Sequence, residues 1–205
     1  MRGQPHDTPE QLPNSWGGVT VAEIVTDYSQ NPVEATEGAL DVALTGPGFI
    51  KVKNGGRQYL TRDGRFLIEN DGTLATTGGA KVLNQEGVPI QVDPSAGRVT
   101  IADDGTVNQD SDQGLSAVDK IGLVQPRDYQ KLQKVGENLY RNHGGEIPAG
   151  PELTLMQGYL ETSGVDAVTE MVDLIETSRE FEANLNMIKF QDEALGNLLS
   201  TVPRL

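Results

Sequence analysis

The stretch from Val165 to Leu199 constrains the fold most, because its pattern is that of one long helix. It contains a single Gly and no Pro, so nothing in it is expected to break a helix. Its apolar residues recur at spacings of 3 and 4, which is the period of an amphipathic α-helix. At 1.5 Å per residue the helix would be roughly 50 Å long. A helix of that length exceeds a small domain, so we expect it to pack against a partner helix.

The apolar stripe of this helix changes phase once. It begins with Val168, Val172 and Ile175, and then follows a heptad spacing with Ser178 and Asp192 at the two polar steps. No second segment of the sequence has this pattern, so the stripe favours a subunit contact surface over a solvated helix face. The predicted subunit-interface residues are Val168, Met171, Val172, Leu174, Ile175, Phe181, Leu185, Ile188, Leu195 and Leu199.

The composition excludes several classes of partner. The net charge is −14 and the isoelectric point about 4.4, so nucleic acids and anionic membrane surfaces are poor partners. The chain has no Cys, which excludes disulfides and thiolate metal sites. No apolar run approaches the roughly 18 residues that a transmembrane helix requires, so direct membrane insertion is not expected. The start, MRGQPHDTPEQLPNSW, lacks the apolar core of a cleavable signal peptide, so if the protein works outside the cytoplasm another route exports it.

The middle of the chain predicts a β-rich fold. Short apolar segments alternate with Gly, Asn-Gly and Asp-Gly turns, which is typical of a meander, a sandwich-like domain or a partly closed barrel. The predicted fold class is therefore mainly β with a long C-terminal α-helix of coiled-coil type. The predicted divisions are a flexible N-terminal arm (1–18), a β-rich domain (19–161) and a C-terminal amphipathic assembly helix (162–205).

Several local predictions test this scheme. A first strand is expected at 18–27, turn-rich or loop segments at 28–38, 108–118 and 142–152, and a helical turn at 129–136. Other short strands are expected at 40–44, 49–52, 58–61, 65–69, 73–76, 80–83, 89–92, 98–101, 120–124, 138–141 and 153–161.

Two further local features concern turns and the helix start. A weak internal repeat relates residues 68–74 to 101–107, each a strand–turn–strand unit with Asp-Gly in the turn. Thr162 or Ser163 is the predicted N-cap of the helix, and with Ser163 as the cap Asp166 would complete an acidic capping box.

The sequence offers little that resembles catalytic or metal-binding chemistry. The residues that occupy EF-hand loop positions 1, 3, 5 and 12 are Asn108, Asp110, Asp112 and Asp119. Gln113 stands where such a loop requires Gly, so a solvated loop is favoured over a weak cation site within Asp103–Asp119. His6 and His143 are the only histidines, and no nucleophile elbow or phosphate loop occurs. We therefore predict no catalytic residues, no resident metal and no cofactor.

A set of motifs resembles the bacterial flagellar hook–basal body rod protein family. The segments that carry the resemblance are LDVALTGPGFIKV (40–52), YLTRDGRFLIENDGTLATTGGAKVL (59–83), VTIADDGTV (99–107), LQKVGENLY (132–140) and QGYLETSGVDAVTEMVDLIETSREFEANLNMIKFQDEAL (157–195). They cover about two thirds of the chain in the family's order. The combination of TRDG, the QG-LE-S before the helix and the EMV-LI-R-FE-N run is specific.

The resemblance implies a structural role without catalysis. Such proteins stack helically into the rod of the flagellar basal body, which crosses the periplasm, and a type III apparatus exports them without a cleavable signal. Their terminal helices pair around a central channel and their β domain forms the outer layer. The expected partners are other copies of the chain and neighbouring rod or hook proteins, with no nucleic acid and no small-molecule substrate. A rod protein of the proximal or distal type fits best, because the β region is a single modest domain.

The beginning of the sequence departs from the family pattern. Family members start with a helix and an Asn-rich segment, whereas this chain starts with MRGQPHDTPEQ, so the N-terminal helix is expected to be absent from it. Truncation, a misplaced start and divergence all remain open as explanations. Gly164 also replaces the usual Asn, which would loosen the helix start by up to about 1 kcal/mol if it lay inside the helix.

Two alternatives remain beside the rod hypothesis. One is a hook-type axial protein of the same family. The other is a secreted carbohydrate-binding or carbohydrate-active β protein, because two carboxylates suffice for glycoside hydrolysis. That alternative predicts an exposed aromatic platform, for which only Trp16 and scattered tyrosines such as Tyr59 and Tyr140 are available.

Overall fold

The computed structural model describes residues 26–111 and 114–201. The predicted arm at 1–18, and nearly all of the predicted first strand at 18–27, lie outside the described residues. The described part is mainly β with one long C-terminal α-helix, so the predicted fold class is confirmed.

The helix α1 spans Ala167–Thr201, and a short 3-10 turn spans Tyr129–Lys131. The strands in chain order are β1 (Val33–Ala35), β2 (Val42–Thr45), β3 (Phe49–Asn54), β4 (Arg57–Thr61), β5 (Phe66–Ile68), β6 (Leu74–Thr76), β7 (Lys81–Val82), β8 (Val99–Ile101), β9 (Thr106–Ser111), β10 (Gly114–Lys120), β11 (Leu123–Pro126), β12 (Leu132–Gly136), β13 (Leu139–Asn142), β14 (Glu146–Pro148), β15 (Thr154–Gln157) and β16 (Tyr159–Glu161).

The strands of the described residues form four antiparallel sheets. The largest has nine strands in the order β12-β13-β4-β3-β7-β6-β5, with β11 pairing to β3 and β14 to β11. A three-stranded sheet has the order β10-β9-β8, and two-stranded sheets join β2 to β15 and β1 to β16. All four sheets keep free edges, so the region is a set of packed open sheets and not a closed barrel.

Short turns with Gly set the register of these sheets. Gly55 and Gly56 have φ values of 56° and 81°, and they close the β3–β4 hairpin in the manner of a type I′ turn. The internal repeat is also real, because Gly72 and Gly105 occupy the same turn position with φ values of 82° and 88°. In both turns the preceding Asp carboxylate accepts the N–H of the following Thr at 3.0 Å.

Aliphatic side chains from several sheets build one main core. The largest fully buried side chains include Leu44, Ile50, Val52, Leu74, Val82, Ile90, Ile121 and Leu155. A smaller cluster lies on the other face of β3, where Phe49 and Leu60 pack with Leu132 and Val124. Both clusters exclude water from the sheets, which stabilises the β region as one folded body.

The structure corrects five local predictions. Segment 28–38 contains β1, segment 108–118 belongs to the β9–β10 hairpin, and segment 142–152 contains β14, although all three were expected to be irregular. The helical turn expected at 129–136 covers only its first residues, and the rest is β12. The strand expected at 89–92 makes isolated bridges only. These segments are polar or short, so alternation of apolar residues could not reveal strands that tertiary pairing creates.

Gly64 lies where two backbone segments touch. A Cβ atom at this position would overlap the carbonyl oxygen of Val42, whose own N–H donates to the carbonyl of Gly64 at 3.0 Å. A side chain is therefore excluded by backbone atoms, which cannot rotate away as a flexible side chain can.

We predict that Gly64→Ala lowers the free energy of unfolding by about 1–3 kcal/mol, because the added methyl group forces the backbone of β2 to move. Urea denaturation of the full chain measures this change. Gly150→Ala is the matched control, since its Cβ would meet nothing within 4 Å, and it should change stability by less than about 0.5 kcal/mol. Equal stability of the two variants would contradict the close approach.

Candidate functional site

A two-stranded ribbon of β1 and β16 precedes the long helix. Val33 lies opposite Glu161 and Ala35 opposite Tyr159, so the strands are antiparallel. Beyond the pairing, the Thr162 N–H donates to the Pro32 carbonyl at 2.9 Å. The strand β1 therefore begins at the end of the ribbon where β16 finishes. From that end the chain continues towards α1.

An ion pair fastens this ribbon to the β region. Arg62, in the bend after β4, donates from Nε to Glu161 Oε2 at 2.9 Å. The two side chains are only 16% and 8% exposed, so the pair is largely removed from water. The remaining Arg62 nitrogens donate to the carbonyls of Gly46 and Gly48, at 3.2 and 3.0 Å, and to Gln30 Oε1 at 3.0 Å.

The second oxygen of Glu161 is also satisfied. Oε1 accepts the backbone N–H of Asn31 at 3.1 Å, just before β1. Gln30 donates to the carbonyl of Leu44 at 3.0 Å, which ties the same segment to β2. We call Arg62, Glu161, Gln30 and Asn31 the Arg62 cluster. It joins the segment before β1, the turn after β2 and the last strand of the chain.

The start of α1 differs from the prediction. Helical residues begin at Ala167, and Asp166 Oδ1 accepts the N–H of Val168 at 2.9 Å, so Asp166 is the N-cap. Ser163, one of the two predicted caps, instead accepts the N–H of Val165 at 3.2 Å in the preceding turn. Gly164 also lies before the helix, so the predicted loosening of α1 by this glycine does not apply.

The predicted interface residues lie along α1, and the side chains described for it are exposed. Exposure of the predicted set runs from 40% at Leu185 to 70% at Val168. The side chain of Leu199 lies outside the described residues. On a helix with 3.6 residues per turn, Leu174, Phe181 and Ile188 lie along one side. Val168 lies on a different side, and the stripe moves from that side to the other at its change of phase. The structure places these residues on one helix but supplies no partner for them.

Sequence reasoning missed three apolar residues on α1. Met187, Phe190 and Leu198 are 62%, 69% and 65% exposed, and with Ala194 they form a second line at spacings of 3, 4 and 4. At about 100° per residue this line lies roughly a third of a turn from the predicted stripe. This spacing of 3, 4 and 4 is present in the sequence, but the prediction of a single apolar stripe does not include these residues.

Two clefts lie on the surface of the described residues. Their volumes are about 620 and 680 Å³, and neither is lined by His or Cys. Among the same residues no cluster of three potential ligands could hold a metal ion. The acidic segment predicted to be a loop is held in a hairpin instead, where Lys120 pairs with Asp104 at 2.8 Å and Asn84 donates to Asp119 at 3.1 Å.

The tyrosines do not form a carbohydrate platform. Tyr59 is buried, and Tyr140 packs against Phe49 with ring centroids 5.4 Å apart. Tyr28 covers the same cluster at 5.9 Å from Tyr140, and burial raises the pKa of both hydroxyls. Trp16 lies outside the described residues. These described rings therefore contribute to packing and present no flat exposed row.

Comparison with known proteins identifies the family. Residues 156–201 match the family described as "Flagellar basal body rod FlgEFG protein C-terminal", and residues 43–109 match "Flagellar hook protein FlgE/F/G D1 domain". The rod protein FlgG of Buchnera aphidicola subsp. Schizaphis graminum is 33% identical over 195 residues, which cover 88% of this chain and 73% of that protein. The chain belongs to the flagellar basal-body rod protein family.

Other rod proteins are similar over comparable lengths. FlgF of Caulobacter vibrioides is 41% identical over 167 residues, or 80% of this chain and 66% of that protein. FlgG of Bacillus subtilis is 33% identical over 192 residues, or 89% of this chain and 73% of that protein. The chain thus spans about two thirds to three quarters of these relatives. The rod protein family is structural and not enzymatic. No helix in the described residues is long and apolar enough to cross a membrane.

We predict that Glu161→Gln lowers the free energy of unfolding by about 3 kcal/mol, because it leaves the Arg62 guanidinium largely buried without its counter-charge. Thermal or urea denaturation measures the loss. Lys131→Gln is the matched control, since it breaks the Lys131–Asp128 pair, whose side chains are 59% and 40% exposed, and it should cost less than about 1 kcal/mol. A smaller loss in Glu161→Gln than in the control would contradict the Arg62 cluster.

We also predict that the start of α1 is sensitive to acid. The hydrogen bonds from the Val168 N–H and the Thr169 hydroxyl hold the pKa of the Asp166 carboxyl below its usual value. The stabilisation is therefore complete above the ordinary Asp pKa of about 3.9 and is lost as pH falls through the lowered folded value.

Hydrogen exchange at Val168 and Thr169, followed from neutral pH to pH 2 and corrected for the intrinsic pH dependence of exchange, measures this loss. Asp166→Asn is the control, because Asn caps helices without titrating, and its protection should stay constant over the range. Constant protection in the unmodified chain would rule out the proposed cap.

Proposed function

We propose that this protein is a structural subunit of the flagellar rod, which assembles helically through α1 and the β region. The observation that supports this most is the long helix with no apolar side chain buried against the β region. Every residue from Ser163 to Leu198 is exposed, although this stretch carries a dozen large apolar side chains or more. Such a surface is costly in water and is typical of a helix that is buried by assembly.

The distribution of apolar residues on α1 indicates more than one neighbour. The predicted stripe and the line of Met187, Phe190 and Leu198 occupy different sides of the C-terminal half. A helix that is apolar on several sides is normally buried in a bundle, whereas a single seam suits a two-stranded coiled coil. We infer that α1 packs between terminal helices of its own and neighbouring subunits.

The energy available from this packing is large. Complete burial of a Leu, Ile, Val, Phe or Met side chain contributes roughly 1.5–3 kcal/mol before the cost of association is subtracted. The predicted interface residues therefore supply the main assembly energy, and the acidic residues between them, such as Glu170 and Glu180, remain at the margin of the contact. The ribbon leads directly to α1, and the Arg62 cluster fastens the ribbon to the rest of the β region.

The partners that follow are other copies of the chain and neighbouring rod or hook proteins, and the location is the rod that crosses the periplasm. A rod subunit is favoured over a hook subunit because the relatives reported above are named as basal-body rod proteins. The carbohydrate-binding alternative is not favoured, because the described tyrosines lie in the packed cluster of Tyr28 and Phe49.

We predict that Phe181→Asp combined with Leu185→Asp abolishes incorporation into basal bodies, because two carboxylates are placed in the buried seam. Cells that lack the chromosomal copy would express the variant, and immunoblots of purified basal bodies together with motility assays measure the outcome. The β region should keep its folded stability, since neither side chain contacts its core.

Asn186→Asp combined with Lys189→Asp is the matched control. It adds two carboxylates on the side of α1 that already carries Glu182 and Glu193, away from both apolar lines, so incorporation should continue. Normal motility of the Phe181/Leu185 variant would refute the proposed interface. Absence of the unmodified chain from purified basal bodies would refute the rod function itself.

A further inference from the structure

Charge is segregated within the β region. Residues 103–119 carry five Asp and no Lys or Arg, and their described part forms the turn after β8, the strand β9 and most of β10. Residues 51–65 carry five Lys or Arg and one Asp, and residues 127–141 carry four Lys or Arg with one Asp and one Glu. In a chain with a net charge of −14, these two segments form a distinct basic region.

The basic segments are brought together by the sheet. They supply most of β3, β4, β12 and β13, which are neighbours in the order β12-β13-β4-β3. We call these four strands the basic edge and the strands β9 and β10 the acidic hairpin. The two surfaces belong to different sheets, and each ends in a strand with a free side: β12 in the large sheet and β10 in the three-stranded sheet.

Several charges on the basic edge lack a counter-ion in the described residues. Lys53, Arg57, Lys134 and Arg141 take part in no ion pair there. The Arg141 guanidinium lies 5.8 Å from the ring centre of Tyr59, and Arg57 stands two residues before Tyr59 on the same strand face. Arg141, and less strongly Arg57, hold the pKa of the Tyr59 hydroxyl below its usual value.

The acidic hairpin also carries carboxylates that lack a counter-ion in the described residues. Asp110 is exposed and makes no ion pair in the part of the chain that the structure describes. Asp119 accepts from the neutral Asn84 amide and from no cation. Lys120, the last residue of β10, forms its ion pair with Asp104 at 2.8 Å.

Both free edges also expose apolar side chains. Leu115 and Val118 on β10 are 64% and 40% exposed, and Val135 on β12 is 46% exposed. On β10 the residues from Gly114 to Ala117 are regularly paired on one side only, before a bulge. An exposed edge of this kind is a template for a further strand, and natural proteins usually cover or block such edges.

We propose that β10 of one copy docks on β12 of a second copy, so that the three-stranded sheet of one continues the large sheet of the next. This proposal rests on the proposed function, because it requires many copies in one assembly. The charges on the two edges are complementary, which favours this contact over β10–β10 or β12–β12 contacts. Because the two surfaces differ, the copy that contributes β10 keeps its β12 free, and the copy that contributes β12 keeps its β10 free. Repetition of such a contact builds an open helical array.

Cross-linking in purified basal bodies tests this contact. The chain has no Cys, so Ala117→Cys and Val135→Cys place one thiol on each edge without competing thiols. With a short bis-maleimide, the double variant should give adducts of two and more chains of 22.0 kDa. Each single variant should give none. Adducts from Ala117→Cys alone would show a β10–β10 contact and overturn the proposal.

Charge reversal tests the cause of the contact. Arg57→Glu with Lys134→Glu, added to the two-cysteine chain, should reduce the adduct about tenfold through like-charge repulsion. Adding Asp110→Lys to that chain should restore part of it. Arg57→Lys with Lys134→Arg is the matched control, because it changes the same two side chains and keeps both positive charges, so the adduct should be unchanged. An adduct unchanged by the reversal would overturn the electrostatic basis.

The outcomes separate this proposal from the rod function. If the two-cysteine chain is recovered in basal bodies and gives no adduct, the β10–β12 contact is wrong and the rod function stands. If the unmodified chain is not recovered in basal bodies at all, the rod function fails first.

Discussion

The Arg62–Glu161 ion pair is the interaction on which the arrangement of the chain depends. It lies where the chain enters β1, turns after β2, bends after β4 and leaves β16. Arg62 donates there to Glu161, to the carbonyl of Gly46 and to Gln30. A largely buried ion pair gains little net free energy over an apolar alternative, but it is costly to break. Its contribution is therefore to specify one geometry, so that the helix leaves the β region from a fixed point.

The features predictable from the sequence were those encoded within a few residues. Gly55 and Gly56 fixed a hairpin through their backbone conformation, and the spacing along α1 fixed a helix of nearly correct length. The ribbon could not be predicted, because Val33 and Glu161 are far apart in sequence and neither strand alternates. Strand pairing over such a distance is decided by the packed fold and leaves no local signal.

The candidate site was predicted only in part for a related reason. The heptad positions from Met171 to Leu195 are consistent with a seam, and family resemblance gave that seam a purpose. Phe190 and its neighbours fell outside the seam, because a search for one stripe assumes one partner. The sequence predicts a loop where the acidic hairpin lies, because its polar residues are held by pairing with β8 and not by burial of an apolar face. The function that we propose thus depends largely on surfaces that the described residues of the single chain leave exposed.

The antiparallel ribbon has a mechanical consequence. Because Val33 and Glu161 lie side by side at one end, a pull along the chain from α1 enters β16 and is passed to β1 through the hydrogen bonds between the two strands. A single linking strand can swivel about its φ and ψ bonds, whereas two strands joined by hydrogen bonds resist twisting as a couple. In a rotating rod, this link would transmit torque between α1 and the β region.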